Sequence, residues 1–216
     1  MGHRVGVVLT PVPRQFYDRA VLDVARDLLG VVLESSQGGE LVRIRLTEVE
    51  AYGGMADPAS HAFRGPSPRN RTMFGPPGHA YVYFTYGMHF CMNLVTGAPG
   101  TAAAVLLRAG TVVDGVQVVA RRRPGIRPRD FARGPARLTR ALGVDLTADG
   151  ADVCAAGGSL RVLPSVPVAE GDVRSGPRVG VTVATDVPWR FWVADDDSVS
   201  PYRAGGSRRR RGSTRV

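Results

Sequence analysis

Residues 80–95, AYVYFTYGMHFCMNLV, are dense in aromatic and β-prone side chains and carry Gly87 near their middle. That pattern predicts two strands joined by a turn at or near the glycine. Within the first strand Tyr81 and Tyr83 share a face. Tyr86 falls on the other parity, so a turn at Gly87 projects it from a hairpin tip into solvent. Aromatic faces stack on nucleobases in a sequence-tolerant way, and an exposed wedge can open a base step. The same residues can equally fill a core, and tyrosine density alone leaves both uses open.

Working outward, residues 102–108 (AAAVLLR) read as a further buried strand. Upstream, residues 41–52 (LVRIRLTEVEAY) alternate: Val42, Ile44, Leu46, Glu48, Glu50 and Tyr52 fall on one face, Arg43, Arg45 and Thr47 on the other. A strand is expected whose apolar face ends in carboxylates. Gln15–Leu29 shows helical spacing, with Gly30 as the stop, and predicts one amphipathic helix. Gly134 and Pro135 precede a short helix over Ala136–Leu142. Residues 160–168, 178–184 and 189–194 read as strands. No repeat or linker divides the chain before a basic tail, so residues 1–202 are expected to form one domain and 203–216 a disordered tail.

Composition excludes several chemistries. All 28 basic side chains of the 216-residue chain are arginine. Without lysine there is no P-loop lysine and no lysine Schiff base. Apolar residues make up 44% and charged ones 22%, which fits a packed globular protein. The two cysteines, Cys91 and Cys154, form no C-x-x-C pair, and a reducing cytoplasm, the bacterial cytosol, is expected. His89 and Cys91 share a strand face, yet their spacing matches no structural zinc pattern, and neither metal nor cofactor is expected. The apolar run Ala102–Leu107 is too short to span a bilayer, so no membrane partner is expected.

The net charge of +9 is concentrated in two places. Residues 121–140 hold eight arginines against one acid, and the tail carries RRRR at 208–211. Two basic segments suit a polyanion partner; an arginine-rich composition can also reflect codon bias, and a charged tail is commonly a solvated end. Glu50 is the candidate for chemistry: a carboxylate at the end of an apolar strand face is poorly placed for solubility, and general bases are tuned by such surroundings. The structural alternative is that Glu48 or Glu50 pairs with a nearby arginine. Asn93, on the face of Cys91, is either a structural hydrogen-bonder or a reader of a ligand.

The motifs E-A-Y at 50–52, S-H at 60–61, P-R-N-R at 68–71, M-F at 73–74, Y-V-Y at 81–83, Y-G-M at 86–88, C-M-N at 91–93, V-L-L-R at 105–108, G-P-A-R-L at 134–138 and R-V-G-V at 178–181 resemble the alkyladenine (3-methyladenine) DNA glycosylase family. The resemblance implies a single compact α+β domain with a mixed, mainly antiparallel curved sheet, surrounding helices and a protruding β-hairpin. It implies that damaged purines are flipped from double-stranded DNA and their N-glycosidic bonds hydrolysed by a monomer. Residue by residue, it implies Glu50 as the base that activates water and Arg108 as its cationic neighbour. Tyr52, His61 and Tyr83 are implied as the sandwich for the flipped base, Asn93 as the residue that crowds the exocyclic amine of guanine, and Tyr86 as the intercalating wedge. Arg69, Arg71 and Arg137 are the candidate contacts to the DNA backbone. The family often uses lysine where this chain has arginine, as at Arg137, and the RRRR run lies outside the resemblance. Two rivals stand beside this reading: a noncatalytic nucleic-acid-binding module, and a hydrolase of small N-glycosides. With no lysine amine available to form an imine, strand cleavage is not expected and water is the expected nucleophile.

Overall fold

Two long antiparallel strands, β2 (Val42–Tyr52) and β5 (Ala103–Asp114), form the spine of the computed structural model, which describes residues 10–206. On the far side of β5 lies the aromatic hairpin, β3 (Ala80–Thr85) and β4 (His89–Thr96). On the far side of β2 the sheet forks. β1 (Val32–Ser35) pairs with the first half of β2 and then with β6 (Leu160–Leu163). β8 (Arg190–Val193) pairs with Glu48–Glu50 and then with β7 (Val173–Gly176). Every pairing among these strands is antiparallel, and the sheet curls into a half-barrel, an α+β domain with few helices.

The main core lies on one face of this sheet. Leu33, Val42, Ile44, Leu46, Met92, Leu94, Val105 and Leu107 pack there against helices α2 (Val21–Asp27) and α4 (Pro135–Leu142). Leu138 and Leu142 of α4 are fully buried, which contributes about 1.5–3 kcal/mol each. A smaller cluster of Ala62, Met73, Tyr81, Val95, Ala102 and Ala104 lies apart from it and underlies the cleft described below.

The helix expected over Gln15–Leu29 is broken in two, α1 (Arg14–Tyr17) and α2. Ala20 has extended backbone, φ −55° and ψ 134°, and Arg19 bridges the break, its Nε donating to the Phe16 carbonyl at 2.8 Å and Nη2 to Asp27 at 2.8 Å. Apolar periodicity survives such a break because both pieces still face the sheet. Gly30 does terminate the segment, at φ +85°, and its N–H bonds to the Leu46 carbonyl at 2.8 Å.

The strand expected over 160–168 shrinks to Leu160–Leu163, because Pro164 and Pro167 cannot donate to a ladder. Residues 178–184 form no strand: Gly180 (φ +75°) and Ala184 (φ +47°) turn the backbone into a loop. Strands β1 and β7 and helix α3 (Val116–Arg122) had no clear period in the sequence. The Gly180 N–H bonds to the Arg203 carbonyl at 2.9 Å. The RRRR run lies outside the described residues. Among the described residues no helix is long and apolar enough to cross a membrane.

Candidate active site

The site begins with two irregularities in the β2–β5 ladder. Leu46 pairs with Gly110, Glu48 with Ala109, and Val49 with Leu107, so β2 carries one extra residue at Thr47 and β5 one at Arg108. Each extra residue reverses the alternation of its strand. Val42, Ile44 and Leu46 point into the core, and beyond the bulge Val49 and Ala51 take over that role. Glu48, Glu50 and Tyr52 therefore leave the core face, which corrects the expectation that carboxylates cap it. In β5, Val105 and Leu107 face the core while Leu106 and Arg108 line a cleft, and beyond the extra residue Val112 packs against the core.

Both carboxylates are fully buried and both pair with Arg108. Glu50 Oε1 receives the Val179 N–H at 2.6 Å and forms an ion pair with Arg108 Nη1 at 3.2 Å, while Oε2 accepts the Tyr52 hydroxyl at 2.9 Å. Glu48 Oε1 receives Arg108 Nε at 2.9 Å, Arg190 Nε at 2.7 Å and the Ser200 hydroxyl at 2.9 Å, and Oε2 receives the Ser200 N–H at 2.7 Å. Burial opposes the charge on Glu48, but Arg108, Arg190 and Ser200 outweigh it and hold its carboxyl below the usual range. Burial likewise pulls Arg108 down, and Glu50 and Glu48 more than offset it, so the guanidinium stays charged. An ion pair with arginine, the structural alternative for either glutamate, is thus present for both. What distinguishes Glu50 is its position: its two donors, Tyr52 and Val179, and its ion-pair partner Arg108 all line the cleft.

That cleft encloses about 500 Å³ and brings together Tyr52, His61, Tyr83, Tyr86, Asn93 and Arg108. Four tyrosines and His61 supply its aromatic surfaces, beside the charged Arg108. Tyr81 and Tyr83 stack with centroids 5.5 Å apart, as their shared strand face predicts, and His61 stands edge-on to Tyr83 at 4.6 Å. His61 Nδ1 meets the Tyr81 hydroxyl at 3.1 Å. Burial pushes Tyr81 up to about 12 and raises Tyr52 and Tyr83 well above the usual phenol range. Burial, then the charge of Arg69, lowers His61, so the imidazole is neutral at pH 7. Asn93 Nδ2 donates to the Tyr81 carbonyl at 3.1 Å, which fixes the amide at the cleft floor.

Tyr86 occupies the hairpin tip. Tyr86 and Gly87 have φ of +52° and +69°, the Met88 N–H bonds to the Thr85 carbonyl at 3.2 Å, and the phenol is 85% exposed. Two successive positive φ values make the tight turn that matches strand twist. Glycine meets that demand freely; tyrosine does not. Met88 beside it is 68% exposed.

The arginines divide. Arg69 lies by the hairpin, its Nη2 on the Phe84 carbonyl at 3.2 Å and its guanidinium 5.9 Å from the Tyr83 ring centre. Arg71 is exposed and lines neither cavity. Arg137 lines a second cavity of about 620 Å³ with Arg127, Arg133 and Arg203, which meets the cleft at Arg108 and Val179. Several residues had no clear sequence signal. Arg178, fully buried, forks onto Asp57, with Nη2 at 2.9 Å from Oδ1, and lies 4.8 Å from the Tyr52 ring centre, so it backs the cleft wall. The R-V-G-V motif marked that stretch without revealing that Val179 would contribute a backbone donor.

The methylpurine-DNA glycosylase family model matches residues 15–197, which include all of these cleft residues. The chain belongs to that family. It is 55% identical over 205 residues to a protein of Streptomyces avermitilis, with 94% of this chain and 96% of the other covered. It is 51% identical over 197 residues to one of Frankia casuarinae, covering 87% and 91% of the two chains. Against one of Burkholderia lata the identity is 47% over 189 residues, covering 87% and 90%. Each of these relatives has the words 3-methyladenine DNA glycosylase within its name. The protein is accordingly a DNA-repair glycosylase.

Proposed function

We propose that this glycosylase flips alkylated or deaminated purines out of duplex DNA and hydrolyses the N-glycosidic bond with a water activated by Glu50, leaving an abasic site. The observation that carries the reading is a buried carboxylate whose donors form one wall of a tyrosine-lined cleft beneath an exposed wedge. Cationic bases such as 3-methyladenine and 7-methylguanine are attracted to electron-rich tyrosine faces, and their bond to the sugar is already weakened. Tyr52 stacks on one side of the base, His61 and Tyr83 on the other, and Asn93 crowds the position of the guanine amine. Damaged bases also cost less to unstack, so selection starts before the cleft is reached.

In the chemical step the C1′–N bond breaks and its electron pair leaves with the base. The oxocarbenium-like sugar is stabilised by Glu50, which takes the proton of the attacking water as the O–C1′ bond forms. Val179 and Arg108 occupy Oε1, and Oε2, with the neutral Tyr52 hydroxyl, is the oxygen left to face water. Hypoxanthine and ethenoadenine, being neutral, fit the same cleft and additionally require protonation of the leaving purine. Tyr86 fills the gap in the stack, and Arg69, Arg71 and Arg137 contact phosphates. A single chain supplies wedge, cleft and cation-lined cavity, which supports action as a monomer.

The test is Glu50→Gln on methylated duplex DNA. Base release should be abolished while duplex binding survives; release at the parental rate refutes the mechanism. The parent enzyme should prefer duplex over the free methylated nucleoside, since equal rates on both would indicate a hydrolase of small N-glycosides.

A further inference from the structure

Glu48 and Glu50 lie two residues apart on β2; Tyr52, Val179 and Arg108 around Glu50 all line the cleft, whereas of the partners of Glu48 only Arg108 does. Glu48 is sealed between Arg108, Arg190 and Ser200, with no exposed surface. Two buried carboxylates thus face two buried guanidiniums, and the count balances. How Arg108 divides its donors is informative. Nε binds Glu48 at 2.9 Å and Nη2 the Ser200 hydroxyl at 3.3 Å, so one paired edge of the guanidinium is occupied. Toward Glu50 it presents Nη1, 3.2 Å from Oε1.

A guanidinium and a carboxylate left to themselves form the bidentate fork, which would draw both oxygens of Glu50 into the ion pair. We propose that Glu48 is a positioning residue: by occupying the Nε edge of Arg108, it holds Arg108 to a single contact with Glu50 and keeps Oε2 available to water. The inference rests on Glu50 being the base. Ser200 assists twice, through its N–H on Glu48 Oε2 and its hydroxyl on Glu48 Oε1. Arg190 anchors the far side, its Nη2 donating to the Ser200 carbonyl at 2.6 Å.

The experiment measures single-turnover base release from duplex DNA treated with dimethyl sulfate, and separately affinity for a duplex carrying an abasic analogue. Glu48→Gln should lower the rate on the order of 100-fold, the scale of a small misplacement at a reacting group, with affinity unchanged. In an Arg108→Gln background the same change should cost nothing further, because its effect passes through Arg108; a merely structural role would give additive losses. Parental release by Glu48→Gln, or full additivity, overturns the inference. If Glu48→Gln does not fold, Ser200→Ala decides: about tenfold slower release supports the inference, and an unchanged rate overturns it. Glu50→Gln, run alongside, separates the two claims. If it still releases base, the reading of Glu50 falls first; if it is inactive while Glu48→Gln is unimpaired, only the part given to Glu48 falls.

Discussion

Replacing Tyr86 by glycine should stabilise the protein while disabling it on duplex DNA. Tyr86 has φ +52° and is 85% exposed, so its side chain buries little and its backbone is strained. The left-handed conformation costs an L-residue about 1–2 kcal/mol. Glycine removes that cost but adds about 0.5–1 kcal/mol of unfolded-chain freedom. Taking the midpoints, the net gain is about 0.75 kcal/mol, and for a chain of this size calorimetry should record a Tm higher by about 1.5–3 °C. Base stacking on an aromatic side chain is worth about 1–3 kcal/mol, so single-turnover base release from a lesion duplex should fall roughly tenfold to a hundredfold. Hydrolysis of the free methylated nucleoside, which offers no stack to fill, should stay unchanged. Tyr86→Ala keeps the strain and loses the wedge, so it should be equally slow on duplex with no gain in Tm. If Tyr86→Gly melts below the parent, the strain argument fails. If it releases base from duplex at the parental rate, Tyr86 is no wedge.

Asp57→Asn leaves the fully buried Arg178 without its carboxylate, which should cost about 3–5 kcal/mol at pH 7, read by denaturant unfolding. Burial alone would raise Asp57, but the hydrogen bonds from Arg178, Gly53 and Ala59 outweigh it and lower its pKa, so the stabilisation is full above about pH 4 and is lost as pH falls through the depressed value. The gap between parent and variant should therefore close on acidification; a gap that widens refutes the assignment. Because all 28 Lys and Arg positions are arginine, borohydride should trap no imine between an enzyme side chain and abasic DNA, and strands should break only after alkali. A covalent adduct at a side chain would contradict hydrolysis by water.

The hairpin was legible because its signals are local. Alternation, aromatic density and a glycine after Tyr86 name two strands and a tip, and no distant residue is needed to form them. The loop over 178–184 was misread because Val179 and Val181 alternate like a strand, while the positive φ at Gly180 that breaks it depends on contacts such as its N–H to the Arg203 carbonyl. The carboxylates of β2 are the most instructive case. Strict period two puts Glu48 and Glu50 with Val42, Ile44 and Leu46, yet Val49 and Ala51 are apolar on the opposite parity, and that switch was the trace of the bulge.

A regular ladder would have driven Glu48 and Glu50 into a core of leucine and valine, where an unpaired charge could not persist. One extra residue in β2 rotates both out of it, and the extra residue opposite, in β5, is Arg108 itself, so acid and cation arrive on the same side from neighbouring strands. Register then does what side-chain flexibility could not. Both bulges are locked by the surrounding ladder, from Arg45 paired with Thr111 to Ala51 paired with Val105, so the Arg108 guanidinium meets Glu50 without a search. The irregularity that hid the orientation of the carboxylates in the sequence is thus the physical source of the site: with Thr47 paired in register, Glu48 and Glu50 would share the face of Val42, Ile44 and Leu46.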